Sequence, residues 1–237
     1  MYKHIFGPIN SRRLGTSLGI DAIYFKVCSF DCLYCEVGIT NIKTIERKEW
    51  VKKDDIIAEL KDYLAKNDKK LDYITFSGSG EPTLNSKIGE IIDEIKKITT
   101  TKVAVLTNSS LIDDKNVQNE LLKADLVVPS LDAVTETLFH KIDLPHKDVK
   151  IENIIKGLIE FRKLYTGQIW LEVLVLKGFN DTEEEFNKIA ECVKLIKPDK
   201  VQINNLDRKP SYDIAKKADF ETVEKLKKIL SGIVEVI

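Results

Sequence analysis

From about residue 20 onward the chain alternates between two hydrophobic periods. Runs of apolar and β-branched residues predict strands at Ile20–Val27, Tyr73–Ser77, Val103–Thr107, Leu126–Pro129, Ile169–Leu176 and Val201–Ile203. Between them, apolar residues at helical spacing predict helices at about 54–66, 86–98, 114–123, 151–165 and 182–197, with a last one near 220–231. Thr182 followed by Glu185 has the pattern of a capping box, and Pro198 comes just after the apolar run that ends at Ile196. Residues 36–52 and 132–150 read as polar insertions, the second with room for a short helix. Strands that are each followed by a helix imply an α/β fold: a parallel sheet with right-handed crossovers, either open and doubly wound or curled into a full or partial barrel. No repeat and no Pro/Gly-rich linker interrupts the pattern, so residues 1–237 are expected to form one domain.

The unusual residues fall at one kind of place in this pattern. Cys28–Cys35 follow the first predicted strand, Gly78-Ser79-Gly80-Glu81-Pro82 the second, Asn108-Ser109-Ser110 the third and Ser130-Leu131-Asp132 the fourth. Lys177-Gly178-Phe179-Asn180-Asp181 and Asn204-Asn205-Leu206-Asp207-Arg208 follow the last two. The carboxyl ends of parallel strands are where α/β folds build their sites, so the coincidence predicts one large site on one edge.

Composition narrows the function classes. Hydrophobic residues make up 43% of 237, enough for a sizeable core, while charged residues make up 32% and nearly cancel to a net charge of −1. That balance argues against broad nucleic-acid binding and against a DNA partner, and leaves a specific RNA met through a local basic patch. The opening MYKHIFGPINSRR lacks the apolar core of a signal peptide, and no apolar run is long enough to span a bilayer. The cysteine pattern does not suggest a disulfide framework, so a reducing, cytoplasmic setting is expected. Among 37 basic residues only Arg12, Arg13, Arg47, Arg162 and Arg208 are arginine. Arginine is the residue for planar, two-pronged contacts, although codon bias or growth temperature gives the same count.

Cys28, Cys32 and Cys35 stand at a C-x3-C-x2-C spacing. Three thiolates so spaced can hold one face of an iron–sulfur cube and leave the fourth iron without a protein ligand. A zinc module is the rival reading. Zinc needs a fourth ligand, and only His4, His140, His146 and Cys192 remain, none at a recognisable spacing. The run CSFDCLYC, with Tyr34 before its last cysteine, resembles the cluster motif of the radical S-adenosylmethionine (radical SAM) superfamily, and Gly80-Glu81-Pro82 is similar to that superfamily's Gly-Glu-Pro element. The segments GPINSRRLGTSLGID and VQINNLDRKP resemble a narrower branch, related to wyosine-base synthesis on transfer RNA, but the chain lacks that branch's second cysteine set.

The resemblance implies a partial (β/α)6 TIM-like barrel of parallel strands. It implies a 4Fe–4S cluster on Cys28, Cys32 and Cys35 whose open iron chelates S-adenosylmethionine. Reductive cleavage then gives a 5′-deoxyadenosyl radical that takes hydrogen from a substrate, with ferredoxin or flavodoxin as electron donor. It also implies that the backbone at Ser79, Gly80 and Glu81 receives the methionine amino group, and that Tyr34, Asn108, Ser110, Ser130 and Asp132 lie on the cofactor. For the 79–81 segment the alternative is an ordinary turn; for the side chains it is local caps. Lys177 and the Gly178–Asp181 turn are expected either to close on adenine or to form a plain loop. Arg12, Arg13 and Arg208 fit a carboxylate or phosphate on the substrate, or else surface charge and internal ion pairs. Glu172, inside an apolar strand, is expected to meet a Lys or Arg in the barrel, and Cys192 to sit in the core. The substrate class stays open between transfer RNA or a nucleotide-like molecule, a small metabolite, and a partner protein that receives a glycyl radical.

Overall fold

The structure, a computed structural model, describes residues 2–11 and 13–237. The chain opens with an antiparallel hairpin, β1 (Ile5–Ser11) and β2 (Gly15–Ile20). Two short strands, β3 (Val27–Cys28) and β4 (Ile42–Lys43), pair with each other outside the main sheet. The alternation then runs α1 (Lys53–Lys66), β5 (Tyr73–Phe76), α2 (Ile88–Ile98), β6 (Lys102–Thr107), α3 (Lys115–Leu121), β7 (Leu126–Pro129), α4 (Glu136–Ile142) and α5 (Ile151–Leu164). It closes with β8 (Gln168–Val175), α6 (Glu183–Ile196), β9 (Lys200–Asn205), α7 (Phe220–Ser231) and β10 (Glu235–Val236). The sheet order is β1-β2-β5-β6-β7-β8-β9-β10, parallel throughout except for the β1–β2 pair. This is the partial barrel, with its two edge strands unpaired to one another.

Alternation along each strand sorts the side chains onto two faces. Leu18, Ile74, Val103, Val105, Leu171 and Val173 point outward and share one large core with the helices, through residues such as Leu60, Ile91, Leu158 and Phe186. Ala104, Leu126, Val128 and Trp170 point the other way and form a smaller cluster with Leu14 from the β1–β2 turn. The same turn sends Arg13 to Glu172 on β8 (Nη1–Oε2 2.5 Å), and its Nη1 also donates to Gln202 Oε1 on β9 at 2.7 Å. The hairpin thus bridges across the concave side of the sheet to strands near its far edge. Glu172 finds an arginine there, as its place in an apolar strand predicts.

One strand differs from expectation. The apolar run Ile20–Val27 is not a strand: β2 ends at Ile20 and residues 21–26 form a loop. Ile23 and Val27 are buried all the same, packed with Trp50 and Leu84 in a separate small cluster. Past Ile20 the Asp21 N–H still donates to His4 O at 2.9 Å, while its carboxylate accepts the Ser79 N–H at 3.1 Å and the Ser79 hydroxyl. β1 and β10 carry no strand pattern, being a Gly-Pro-containing edge and a two-residue edge. The 132–150 insertion does hold a short helix, α4. Thr182 caps α6 by accepting from the Glu185 N–H at 3.3 Å, and Lys197 ends the helix in a left-handed conformation (φ 56°) just before Pro198. Among the described residues no helix is long and apolar enough to cross a membrane.

Asn180 holds the turn after β8. It is fully buried; its Oδ1 accepts the Leu176 N–H at 2.7 Å, and its Nδ2 donates to the carbonyls of Asp132 (2.9 Å) and Leu174 (2.7 Å). Asn180→Ala strands an N–H and two carbonyls away from water. It should lower unfolding free energy by about 2–3 kcal/mol, read as a drop in urea midpoint at unchanged slope.

Candidate metal and cofactor site

Cys28 ends β3, and Cys32 and Cys35 follow on a loop fixed by hydrogen bonds from several segments. The backbone N–H of Asp31 donates to Asp143 O (3.1 Å) and that of Leu33 to Ile142 O (2.9 Å), while the His146 N–H donates to Ser29 O (2.8 Å). From the 206–219 loop, the Tyr212 N–H donates to Leu33 O (3.1 Å), Tyr212 OH to Asp31 Oδ2 (2.7 Å) and Ser211 Oγ to Cys35 O (2.6 Å). A turn bond from Cys35 N–H to Cys32 O (3.2 Å) brings the last two cysteines together. The loop is therefore held by the protein alone, which is how a preorganised site is built.

All three cysteines are half-buried free thiols, each with its own polar neighbour. Asn108 Nδ2 donates to Cys28 Sγ at 3.5 Å, Lys26 Nζ donates to Cys35 Sγ at 3.0 Å, and the Cys32 thiol donates to Asp143 Oδ1 at 3.5 Å. Burial, helped by the charge of Glu81, pushes the Cys28 thiol up to about 12; burial, with Asp143 next, raises Cys32 as well. Such thiols keep their protons until a metal displaces them. Among the described residues, no three Cys, His, Asp or Glu side chains gather in a way that could hold a single metal ion. A zinc site needs four ligands gathered on one ion. In an iron–sulfur cluster each thiolate takes an iron of its own, and three free thiols on one loop are donors of that type.

The Ser79–Glu81 turn packs directly under the first cysteine. The Lys26 N–H donates to Ser79 O (3.0 Å) and the Glu81 N–H to Val27 O (3.2 Å). A Cβ on Gly80 would lie 1.9 Å from Val27 O, so only glycine permits this approach. Glu81 is 2% exposed. Its carboxylate accepts from Thr83 N–H (3.0 Å), Thr83 Oγ1 (2.6 Å), Thr107 Oγ1 (2.7 Å) and Asn108 N–H (2.7 Å). Burial raises its pKa and these bonds pull it back. The Glu81 side chain is thus committed to the protein.

The structure brings most of the expected residues together. Asn108 Nδ2 also donates to Ser29 Oγ (2.9 Å), and Ser29 Oγ lies 2.6 Å from Ser110 Oγ. Tyr34 OH donates to Asp132, whose other oxygen accepts the Leu174 N–H at 2.7 Å. Tyr34, Asn108, Ser130, Asp132 and Asp143 line one small cavity behind the cysteine loop. Arg13 and Arg208 stand apart from this set. Arg12 lies outside the described residues, and Arg13 is in the pair with Glu172 described above. Arg208 is on the rim, its side chain 78% exposed and 3.3 Å from Glu36. Lys177 pairs with Asp219 at the surface (2.7 Å), and the turn after it closes on itself through Gly178 N–H to Asp181 Oδ1 (2.9 Å). Cys192 is half-buried against the helical core. Sequence reasoning missed Lys26, Asp21 and Asp143, single polar residues in loops whose importance comes only from what folds against them.

The family pattern described as the Radical SAM superfamily matches residues 23–192. A UPF0026 protein of Methanocaldococcus jannaschii is 40% identical over 230 residues, which cover 97% of this chain and 71% of that protein. A protein named GTPase Obg from Brachyspira hyodysenteriae is 46% identical over 95% of this chain, but the chain spans only 33% of its length. The crystal structure of a radical SAM methyltransferase from Sphaerobacter thermophilus superposes with a TM-score of 0.71 at 15% identity, covering 93% of this chain and 65% of that one. At that identity the likeness concerns the fold.

Asp132 gives the site a pH signature. Burial pushes its carboxyl from 3.8 up to about 7, against the pull of the Leu174 N–H and Tyr34 bonds. Between those values the folded protein holds a proton that the unfolded chain has released, so stability falls as pH rises through this window. Metal-free protein should therefore lose stability through the buried Asp132 and Asp143 carboxyls as pH rises from about 4 to about 7. Urea titrations of wild type and Asp132→Asn across that range should show the pH slope reduced in the variant.

Proposed function

The chain belongs to the radical SAM superfamily, and we propose that it is an enzyme that holds a 4Fe–4S cluster on Cys28, Cys32 and Cys35, binds S-adenosylmethionine beside it and acts on RNA or a nucleotide-like substrate. The observation that carries this reading is three free thiols on one preorganised loop, directly over the Ser79–Glu81 turn. When bound, the cluster and S-adenosylmethionine together supply one-electron cleavage of a carbon–sulfur bond and a 5′-deoxyadenosyl radical that takes hydrogen from a substrate C–H bond.

The protein's own part is binding, orientation and exclusion of water. In this reading the backbone carbonyls of the Ser79–Glu81 turn, each with a second lone pair to offer, receive the amino group of S-adenosylmethionine, because Glu81's side chain is already spent on Thr83, Thr107 and Asn108. Tyr34, Asn108, Ser110, Ser130 and Asp132 flank the rest of the cofactor, and residues 1–237 act as one domain. A small electron-transfer protein of the ferredoxin or flavodoxin kind supplies the electron.

An RNA-like substrate is supported by the branch resemblance of two segments. The 206–219 loop that is bonded to the cysteine loop exposes Arg208, Lys209, Lys216 and Lys217 together with Asp207, Asp213 and Asp219, with Arg208 3.3 Å from Glu36 and Lys217 3.6 Å from Asp207. The two branch-like segments lie at this rim and at the β1–β2 hairpin.

Two measurements test the proposal. Anaerobic protein with rebuilt iron and sulfide, given S-adenosylmethionine and dithionite, should form 5′-deoxyadenosine, and Cys32→Ala should lose both the brown cluster absorbance and at least 99% of that product; wild-type rates in the variant would rule out the mechanism. Purified protein should also retain RNA at low salt and release it steeply as salt rises. Absence of RNA under those conditions would move the substrate to a metabolite or a protein.

A further inference from the structure

Lys26 occupies a position that its side chain must justify. It is 3% exposed, and its backbone sits at φ 55°, the left-handed region that glycine enters freely and lysine rarely does. The backbone is held there from both sides: its N–H donates to Ser79 O at 3.0 Å, and its carbonyl accepts from Asn41 N–H (3.0 Å) and Ile42 N–H (3.1 Å). Glycine would satisfy every one of those bonds. What lysine adds is an ammonium group whose Nζ lies 3.0 Å from Cys35 Sγ. Among the described residues it forms no ion pair with a carboxylate, and the Cys35 sulfur is its side-chain partner.

We infer that Lys26 is a positioning residue that raises the reduction potential of the cluster held by Cys35. The inference rests on the cluster reading above and adds to it how readily that cluster accepts its electron. Reduction adds one negative charge to the cluster and its thiolates. An N–H donated to a ligating sulfur, and a buried positive charge beside it, both favour that more negative state. With Lys26 buried and Cys35 half-buried, the interaction is screened by salt less than a surface pair would be. Asn108, which donates to Cys28 Sγ at 3.5 Å, is neutral and more distant, and Glu81 and Asp143 are the acidic neighbours of Cys28 and Cys32, so the positive charge at the cysteines comes from Lys26.

The test is a redox titration of reconstituted protein, with the reduced cluster followed by electron paramagnetic resonance. Lys26→Met keeps the stem and removes the donor and the charge. Lys26→Gly removes the whole side chain while relieving the backbone, so it is a variant expected to fold. Lys26→Arg keeps a charged donor. Both Lys26→Met and Lys26→Gly should lower the equilibrium constant for cluster reduction by about tenfold or more, a midpoint about 59 mV more negative for one electron. Lys26→Arg should stay within about threefold of wild type. Midpoints of Lys26→Met and Lys26→Gly within about twofold of wild type would overturn the inference, with the cluster reading intact. Variants that fold by circular dichroism yet take up no cluster would overturn it too, since the lysine would then serve assembly. Wild-type protein that takes up no iron and sulfide would instead overturn the cluster reading itself.

Discussion

The site depends on one buried carboxylate. Glu81 stands where the turn after β5, the end of β6 and the first cysteine meet, and it accepts four hydrogen bonds without help from a cation. Burying an ionised carboxylate is costly, and the cost is offset only when its acceptor sites are filled with good geometry. That demand fixes Asn108, whose N–H is one of the four donors and whose side chain then reaches Cys28 and Ser29. It also fixes the backbone on the other side, because the Glu81 N–H holds Val27 O beside Gly80. The first cysteine is therefore located by the second and third parallel strands, and its own two-residue strand is too short to locate it.

The partial barrel separates two jobs. Its outward face carries the large helical core that supplies most of the buried apolar surface. Its concave face is lined by a smaller apolar cluster and by the Arg13–Glu172–Gln202 set. The β1–β2 hairpin supplies Leu14 and Arg13 to that face, so a segment that looks in sequence like a substrate-binding arm makes internal contacts. An arginine with two acceptors on neighbouring strands links the hairpin to the far edge of an open sheet, a link that a closed barrel would not need.

Much of the plan was legible in the sequence because it rests on local pattern. The periodicity of residues 151–165 and the capping pair Thr182 and Glu185 describe helices that the structure has, within a residue or two. The placement of Gly80, Asn108 and Asp132 past the ends of β5, β6 and β7 follows from the same alternation, whereas Cys28–Cys35 follow β3, a two-residue strand outside the main sheet. Ile20–Val27 shows where this reasoning stops. Its apolar residues are buried, as the pattern says, but burial does not distinguish a strand from a loop folded against Trp50 and Leu84. Hydrophobic period reports which side chains leave water; it does not report which backbone groups pair.

The sequence by itself determined the fold class, the edge of the sheet that carries the chemistry and the three cysteines, because each is encoded in spacing along the chain. Only the tertiary structure decided which polar residues serve the site. Arg13 and Lys26 are both basic residues in loops of the first third of the chain, yet one pairs with Glu172 and the other touches a cysteine sulfur. Nothing local distinguishes them. Their roles come from partners as remote in sequence as Glu172, Gln202 and Ser79, and a charge takes its meaning from the groups that folding brings within a few ångströms of it.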